Sequence, residues 1–250
     1  MTALLDPEII VAFMTLTALE IVLGIDNIIF LSIMAAKLPP ERQASARFWG
    51  LAGAMVTRIA LLISVAWLAR LTDTIFSVFA NAISGRDLIL IGGGAFLIYK
   101  SIKELVLQGD EEEHGSSPER GKVSFLSVIV QIMVLDIVFS LDSVITAVGM
   151  TTTLPQHLAV PVMIAAIVVA IVVMMFFSGP VSRFVDNNPR IKTLALAFLV
   201  LIGIVLIADG FDFHIDKAYV YVSMAFSLAV ELINLWLKSR AEAGTNADKP

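Results

Sequence analysis

Residues Leu19–Ile29 read LEIVLGIDNII, and residues Leu135–Ile145 read LDIVFSLDSVI. Laid over each other at an offset of 116 residues, five of the eleven positions are identical. The other six exchange like for like: Glu20/Asp136, Leu23/Phe139, Gly24/Ser140, Ile25/Leu141, Asn27/Ser143 and Ile28/Val144. The match resumes at Leu38-Pro39 and Leu154-Pro155. Apolar helices resemble one another by chance, but acids aligned in the middle of two apolar runs do not. The chain therefore carries an internal repeat, and the repeat carries acids.

The surroundings say where those acids lie. The 250 residues are 58% apolar and 16% charged, against about 45–50% and about 25% in ordinary globular chains. Mean hydropathy is +0.90, which excludes a water-soluble domain of this size. No cysteine is present, which excludes disulfides, thiolate metal sites and cysteine nucleophiles. A membrane-crossing helix needs about 20 mostly apolar residues, and seven stretches qualify: Ile9–Met34, Phe48–Ala69, Arg86–Val106, Val123–Met150, Ala159–Ser178, Ile191–Ala208 and Ala218–Leu237. The third is the weakest, because its apolar run Leu88–Tyr99 ends at Lys100 and Lys103, whose ammonium groups can snorkel to the headgroups. Asp6 and Glu8 stand where a cleavable signal would have basic residues, so the first helix is expected to stay in the mature protein.

Loop charges set the orientation. With the N-terminus outside and the C-terminus in the cytoplasm, thirteen of the seventeen Lys and Arg residues lie inside, only Arg70, Arg86 and Lys217 lie outside, and Arg58 is left within a span. One copy of the motif opens each helix triplet. Three is odd, so the second triplet crosses in the opposite sense. The expected fold is all-α and polytopic, with seven transmembrane helices as two inverted three-helix repeats plus one C-terminal helix. Its parts are a first repeat over 1–107, an acidic cytoplasmic linker over 108–122, a second repeat over 123–212, a seventh helix over 213–240 and a disordered tail over 241–250. The run Asp110–Glu113 beside His114 reads as solvated linker, as blocks of like charge usually are. Inverted repeats enclose substrate sites near the bilayer midplane.

Glu20, Asp26, Asp136 and Asp142 fall near the centres of the first and fourth spans. An acid at helix centre costs ~2.5–3.5 kcal/mol, so each must face a polar interior, be neutralised or bind a cation. Arg58 can pair with one or two of them. Six residues of α-helix amount to about 240° of rotation and ~9 Å of rise, so the two acids of a copy share no straight stripe unless the helix loosens between them. Gly24 and Ser140 mark where that is easiest. Asn27 and Ser143 add neutral oxygens. Carboxylate, amide and hydroxyl donors without thiol or imidazole suit Mg²⁺, Ca²⁺ or Mn²⁺. His114, His157 and His214 fall in loops and form no zinc motif. Glu231 and Asn234, at i and i+3 of the last span, line the same cavity or pack one helix against another. The structural alternative for the four acids is an ion-pair network with Arg58 that locks the bundle. It would stabilise poorly relative to apolar packing.

With these motifs in hand, the chain resembles the TerC family of integral membrane proteins in a short form lacking a soluble C-terminal domain. The resemblance rests on Leu19–Phe30 (LEIVLGIDNIIF), Arg86–Gly94 (RDLILIGGG), Gln131–Val148, Phe211–His214 (FDFH) and Ser227–Leu235 (SLAVELINL). It implies a place in the wider LysE-like transporter superfamily and an Mn²⁺ efflux activity, with family ties to tellurium resistance and calcium or stress responses. Carried onto this chain, the ion-binding residues are Glu20, Asp26, Asn27, Asp136, Asp142 and Ser143.

The expectation is a cytoplasmic-membrane exporter of Mn²⁺ with a midplane carboxylate site, protons returning on the acids, and Arg58 gating the site when it is empty. No cofactor, catalytic residue or nucleic-acid partner is expected, and a homo-oligomer is compatible with the reading. A Ca²⁺ transporter of the same architecture and a non-transporting membrane partner for envelope metal handling are the alternatives. An intramembrane aspartyl protease is disfavoured, since Glu20 and Asp136 would have no role and Ile25, not glycine, precedes Asp26. An acid-lined site would repel tellurite.

Overall fold

The computed structural model describes residues 6–64, 74–78, 81–114, 123–151, 154–213 and 215–247. Helices α1 (Pro7–Leu23), α2 (Ile25–Ala35) and α3 (Pro40–Ile63) come first. A hairpin of β1 (Thr74–Val78) and β2 (Asn81–Ser84) follows, then α4 (Gly85–His114). The second half comprises α5 (Phe125–Met150), α6 (Gln156–Asn187) and α7 (Pro189–Gly210), and α8 (Lys217–Ala247) closes the chain. Among the described residues, six helical stretches are long and apolar enough to cross a membrane: Pro7–Ala35, Pro40–Ile63, Phe125–Met150, His157–Asn187, Pro189–Gly210 and Ala218–Lys238.

Three features depart from the sequence expectation. The antiparallel hairpin, with Val78 opposite Asn81 and Thr74 opposite Ser84, makes the fold nearly rather than wholly helical. Helix α4 is not among the six apolar stretches, because Arg86 and Asp87 bound its apolar run on one side and Lys100, Lys103 and Glu104 on the other. Its backbone also stays helical through the acidic run to His114, and α8 continues to Ala247, so parts of the expected linker and tail are helix. Side chains 110–114 lie outside the described residues.

Helix ends follow local chemistry. Asp6 caps α1 by accepting from the Glu8 N–H at 3.1 Å. Ser84 and Asp87 form a reciprocal capping box: the Ser84 N–H donates to Asp87 Oδ2 at 2.9 Å, and the Asp87 N–H donates to Ser84 Oγ at 3.3 Å. The RDLIL motif thus starts a helix. Pro40 and Pro189 sit in the first turns of α3 and α7, where a missing N–H costs nothing.

The buried face of each helix in one half recurs in the other. Helix α3 buries Ala46, Gly50, Leu51, Ala54, Arg58 and Leu62, and α6 buries Val162, Ala166, Ile167, Ala170, Met174 and Ser178, each 116 residues later. Leu16, Glu20, Gly24, Ile28 and Leu31 of α1–α2 correspond in the same way to Ile132, Asp136, Ser140, Val144 and Ala147 of α5, all buried. For α4 and α7 the offset is 109: Asp87, Leu90, Gly94, Leu97 and Ser101 match Leu196, Leu199, Gly203, Leu206 and Gly210.

Packing follows the same correspondence. Helix α3 packs on α5 while α6 packs on α1 and α2, and α4 lies along α7. Contacts fix the directions. Gly50 faces Ile132, Gly53 faces Met133 and Arg58 bonds Asp136, so α3 and α5 run parallel. Gly210 lies against Asp87, Gly203 against Gly94 and Pro189 against Gln108, so α4 and α7 run antiparallel. A Cβ on Gly94 would stand 2.6 Å from the Gly203 carbonyl oxygen, and one on Gly203 would stand 2.9 Å from that of Gly94. Glycine is needed here because the two backbones touch, as at small-residue membrane helix crossings. Helix α8 packs chiefly on α7 and leaves Tyr219, Val222, Phe226 and Trp236 exposed, a surface suited to lipid.

Candidate functional site

The first predicted span is not one helix. Gly24 interrupts it between α1 and α2, with φ −88° and ψ −8°. Its N–H turns to the Ile21 carbonyl at 3.1 Å, a three-residue step where an α-helix would take four. The matching Ser140 produces no break, since α5 is continuous from Phe125 to Met150. The Ser140 hydroxyl is spent on Asp136, donating to Oδ2 at 3.2 Å. Loosening between the paired acids is therefore confined to the first copy.

Glu20 from α1, Arg58 from α3 and Asp136 from α5 meet in the interior, exposed by only 2%, 2% and 3%. Arg58 lies between the two acids. Its Nη1 donates to Glu20 Oε2 at 2.5 Å and its Nη2 to Asp136 Oδ1 at 2.7 Å. Its Nε adds contacts to Asp136 Oδ1 and Oδ2 at 3.2 and 3.3 Å. Asn27 Nδ2 donates to Asp136 Oδ1 at 2.9 Å. Asp136 thus takes donors from Arg58, Asn27 and Ser140, whereas Glu20 has the ion pair to Arg58 and the Ser143 hydroxyl. Such pairing is what lets two carboxylates and a guanidinium leave water together, since each alone would cost several kcal/mol.

The repeat brings Glu20 and Asp136 together, with Asn27 beside Asp136. Ser143 is buried beside them, its hydroxyl within reach of the Ser140 carbonyl at 3.2 Å and of the Glu20 carboxylate. Asp26 opens α2 and Asp142 lies within α5, and the side chains of both lie outside the described residues. Among the described residues, no group of three or more His, Cys, Asp and Glu side chains is placed to hold a metal ion. Glu231 and Asn234 do not join this cluster. Asn234 Nδ2 approaches Glu231 Oε2 at 3.4 Å, and Glu231 faces Arg190 at 4.0 Å, at the start of α7. Of the histidines, His157 falls in the first turn of α6 rather than in a loop.

Two features escaped the sequence reading. Met174 is fully buried against Gly24, so that a Cβ added there would collide with its Sδ. Extending the 116-residue offset into α3 and α6 would have found it, because Met174 is the counterpart of Arg58. A second ionic cluster joins Glu104 of α4 to Lys37, in the turn between α2 and α3, and to Lys192 of α7 at 4.0 Å. Gln108 donates to the Pro189 carbonyl at 3.1 Å nearby in sequence, and Arg47 is within electrostatic reach of Asp186 and Arg183. Segments assigned by charge to one side of the membrane are thus tied together at one end of the bundle.

Residues 5–245 match the integral membrane protein TerC family. Among curated relatives, a UPF0053 protein of Haemophilus influenzae is 55% identical over 93% of this chain and 96% of its own length. The UPF0053 inner membrane protein YgdQ of Escherichia coli K12 is 54% identical over 92% of this chain and 94% of its own. YoaE, another inner membrane protein of that strain, is 46% identical over 94% of this chain, which covers 44% of that longer relative. No solved structure matches the chain. Six apolar helices and relatives named for the inner membrane make this a multi-pass cell-membrane protein.

Proposed function

Because the chain belongs to the TerC family of integral membrane proteins, we propose that it is a transporter that exports divalent metal cations, Mn²⁺ foremost, from the cytoplasm. The observation that carries this reading is the meeting of Glu20 and Asp136. These are the two acids that the repeat sets in equivalent places, and they converge on a single buried cation, the Arg58 guanidinium. A structural lock needs no duplicated acids. A site visited by a doubly charged guest does.

The transport architecture has support of its own. Corresponding helices α4 and α7 run antiparallel, as inverted repeats require, and buried positions recur half by half. The parallel course of α3 and α5 supports a crossing between them, and with it the reading of α4 as a seventh span despite its charges. The loops rich in Lys and Arg share one end, consistent with N-out, C-in orientation.

In this reading Arg58 is the resident counter-charge of the empty site. An entering divalent ion takes over Glu20 and Asp136, and the guanidinium withdraws, so the carboxylates are never left bare. Asn27 and Ser143 offer neutral oxygens, and Asp26 and Asp142 bring further negative charge from the same two motifs. The repeats then rock about the site, and Arg58, helped by protons returning on the acids, resets it. The experiment is Mn²⁺ flux in proteoliposomes and everted vesicles, wild type against Asp136→Asn and Asp26→Asn. Loss of flux in both variants is expected. Unchanged flux in both overturns the site, Ca²⁺ flux in place of Mn²⁺ reassigns the substrate, and no flux from pure protein leaves the partner role in its stead.

A further inference from the structure

Met174 occupies in the second half the place that Arg58 occupies in the first. Both are fully buried, on helices that pack against the acid-bearing helix of the other half. Arg58 crosses from α3 to Asp136 and Ser140's neighbourhood on α5. Met174 crosses from α6 to Gly24, the residue equivalent to Ser140. The space a Cβ on Gly24 would fill is bordered by Met174 Sδ and, at 2.9 Å, by the Glu20 carbonyl oxygen. The Met174 sulfur and the Glu20 carbonyl oxygen therefore both lie against Gly24 at the helix break, four residues along the chain from Glu20.

A buried methionine usually fills space. Two facts set this one apart. Its repeat counterpart contacts both site acids, and its sulfur fits only because residue 24 lacks a side chain. The rest of the donor set is hard oxygen, which does not by itself distinguish Mn²⁺ from Mg²⁺ or Ca²⁺. A thioether shifts that balance, since soft sulfur favours later and softer metals over alkaline-earth ions.

We propose that the Met174 thioether walls the ion site at the Gly24 break and gives it a preference for transition-metal divalent ions over Ca²⁺ and Mg²⁺. This rests on the reading of Glu20 and Asp136 as the ion site. When an ion replaces the Arg58 guanidinium, Met174 meets it from the side of the first repeat, and the sulfur is the one donor that Ca²⁺ and Mg²⁺ do not use.

The test is binding of Mn²⁺, Cd²⁺, Ca²⁺ and Mg²⁺ to purified full-length protein in detergent or nanodiscs, comparing wild type, Met174→Leu and Asp136→Asn. Leucine keeps volume and apolarity. Met174→Leu is expected to weaken Cd²⁺ and Mn²⁺ by about tenfold, which is 1.4 kcal/mol, and to leave Ca²⁺ and Mg²⁺ within about twofold. X-ray absorption at the Cd edge should show a sulfur neighbour in wild type that disappears in Met174→Leu. That measurement on wild type alone guards against a variant that fails to fold. Oxygen-only coordination of Cd²⁺ in wild type, or unchanged ion ratios in Met174→Leu while Asp136→Asn abolishes binding, overturns the role of Met174 and leaves the carboxylate site standing. Wild type that binds none of the four ions overturns both.

Discussion

The two halves of this protein share a buried pattern and differ in how it is charged. Glu20 and Asp136 are equivalent, yet Asp136 accepts from Arg58, Asn27 and Ser140, while Glu20 has one end of the same guanidinium and the Ser143 hydroxyl. The imbalance has a simple origin. Both long donors, Arg58 and Asn27, come from the first half and reach into the second. Of their counterparts, Ser143 returns a shorter contact, its hydroxyl lying within reach of Glu20 as well as of the Ser140 carbonyl, while Met174 packs on Gly24 and returns no charge. A duplicated frame has become one strongly held acid and one weakly held acid on either side of a single cation. In the proposed ion site, such inequality would supply a firmer anchor and a more easily recruited carboxylate.

Removing the cation tests this contrast most severely. Arg58→Met, which makes the first half imitate the second, leaves two buried carboxylates uncompensated and should cost about 3–5 kcal/mol, read as a large drop in the unfolding temperature of the detergent-solubilised protein. Added Mn²⁺ should restore part of it, because the ion replaces the missing charge.

Next come the acids themselves. Asp136→Asn should destabilise by about 1–3 kcal/mol, the cost of disturbing several buried charge-assisted bonds, and Glu20→Gln by distinctly less. Equal losses in the two variants would remove the distinction between anchor and recruit.

The glycine contacts give a third comparison. Gly203→Ala drives a methyl into the Gly94 carbonyl across the α4–α7 crossing and should cost about 1–3 kcal/mol, because backbone atoms cannot step aside. Gly24→Ala meets the end of the flexible Met174 side chain and also, at 2.9 Å, the Glu20 carbonyl oxygen, so it should cost a similar amount. Its Met174→Ala double variant should recover only the part due to the thioether in an unfolding assay.

Smallest of all is Glu231→Gln, at the partly exposed contact between α8 and Arg190 of α7. It should change stability by no more than about 1 kcal/mol and leave Mn²⁺ flux intact. A clear flux defect would return Glu231 to the ion path.

The sequence by itself determined the membrane setting, six of the apolar spans, the repeated motif and four midspan acids, two of which, Glu20 and Asp136, meet through Arg58. These are legible because a lipid solvent demands about 20 apolar residues per crossing and makes every exception costly enough to notice. The capping box at Ser84 and Asp87 and the hairpin before it were not read, since short local hydrogen bonds leave little trace in hydropathy. Which acid Arg58 serves, that Gly24 breaks its helix while Ser140 does not, that Glu231 turns to Arg190, and that Met174 stands in Arg58's place were decided only by tertiary packing. Pattern along a chain fixes which face of a helix is buried, but the reach of an arginine or the lodging of a thioether depends on which helix lies opposite and how closely the backbones approach.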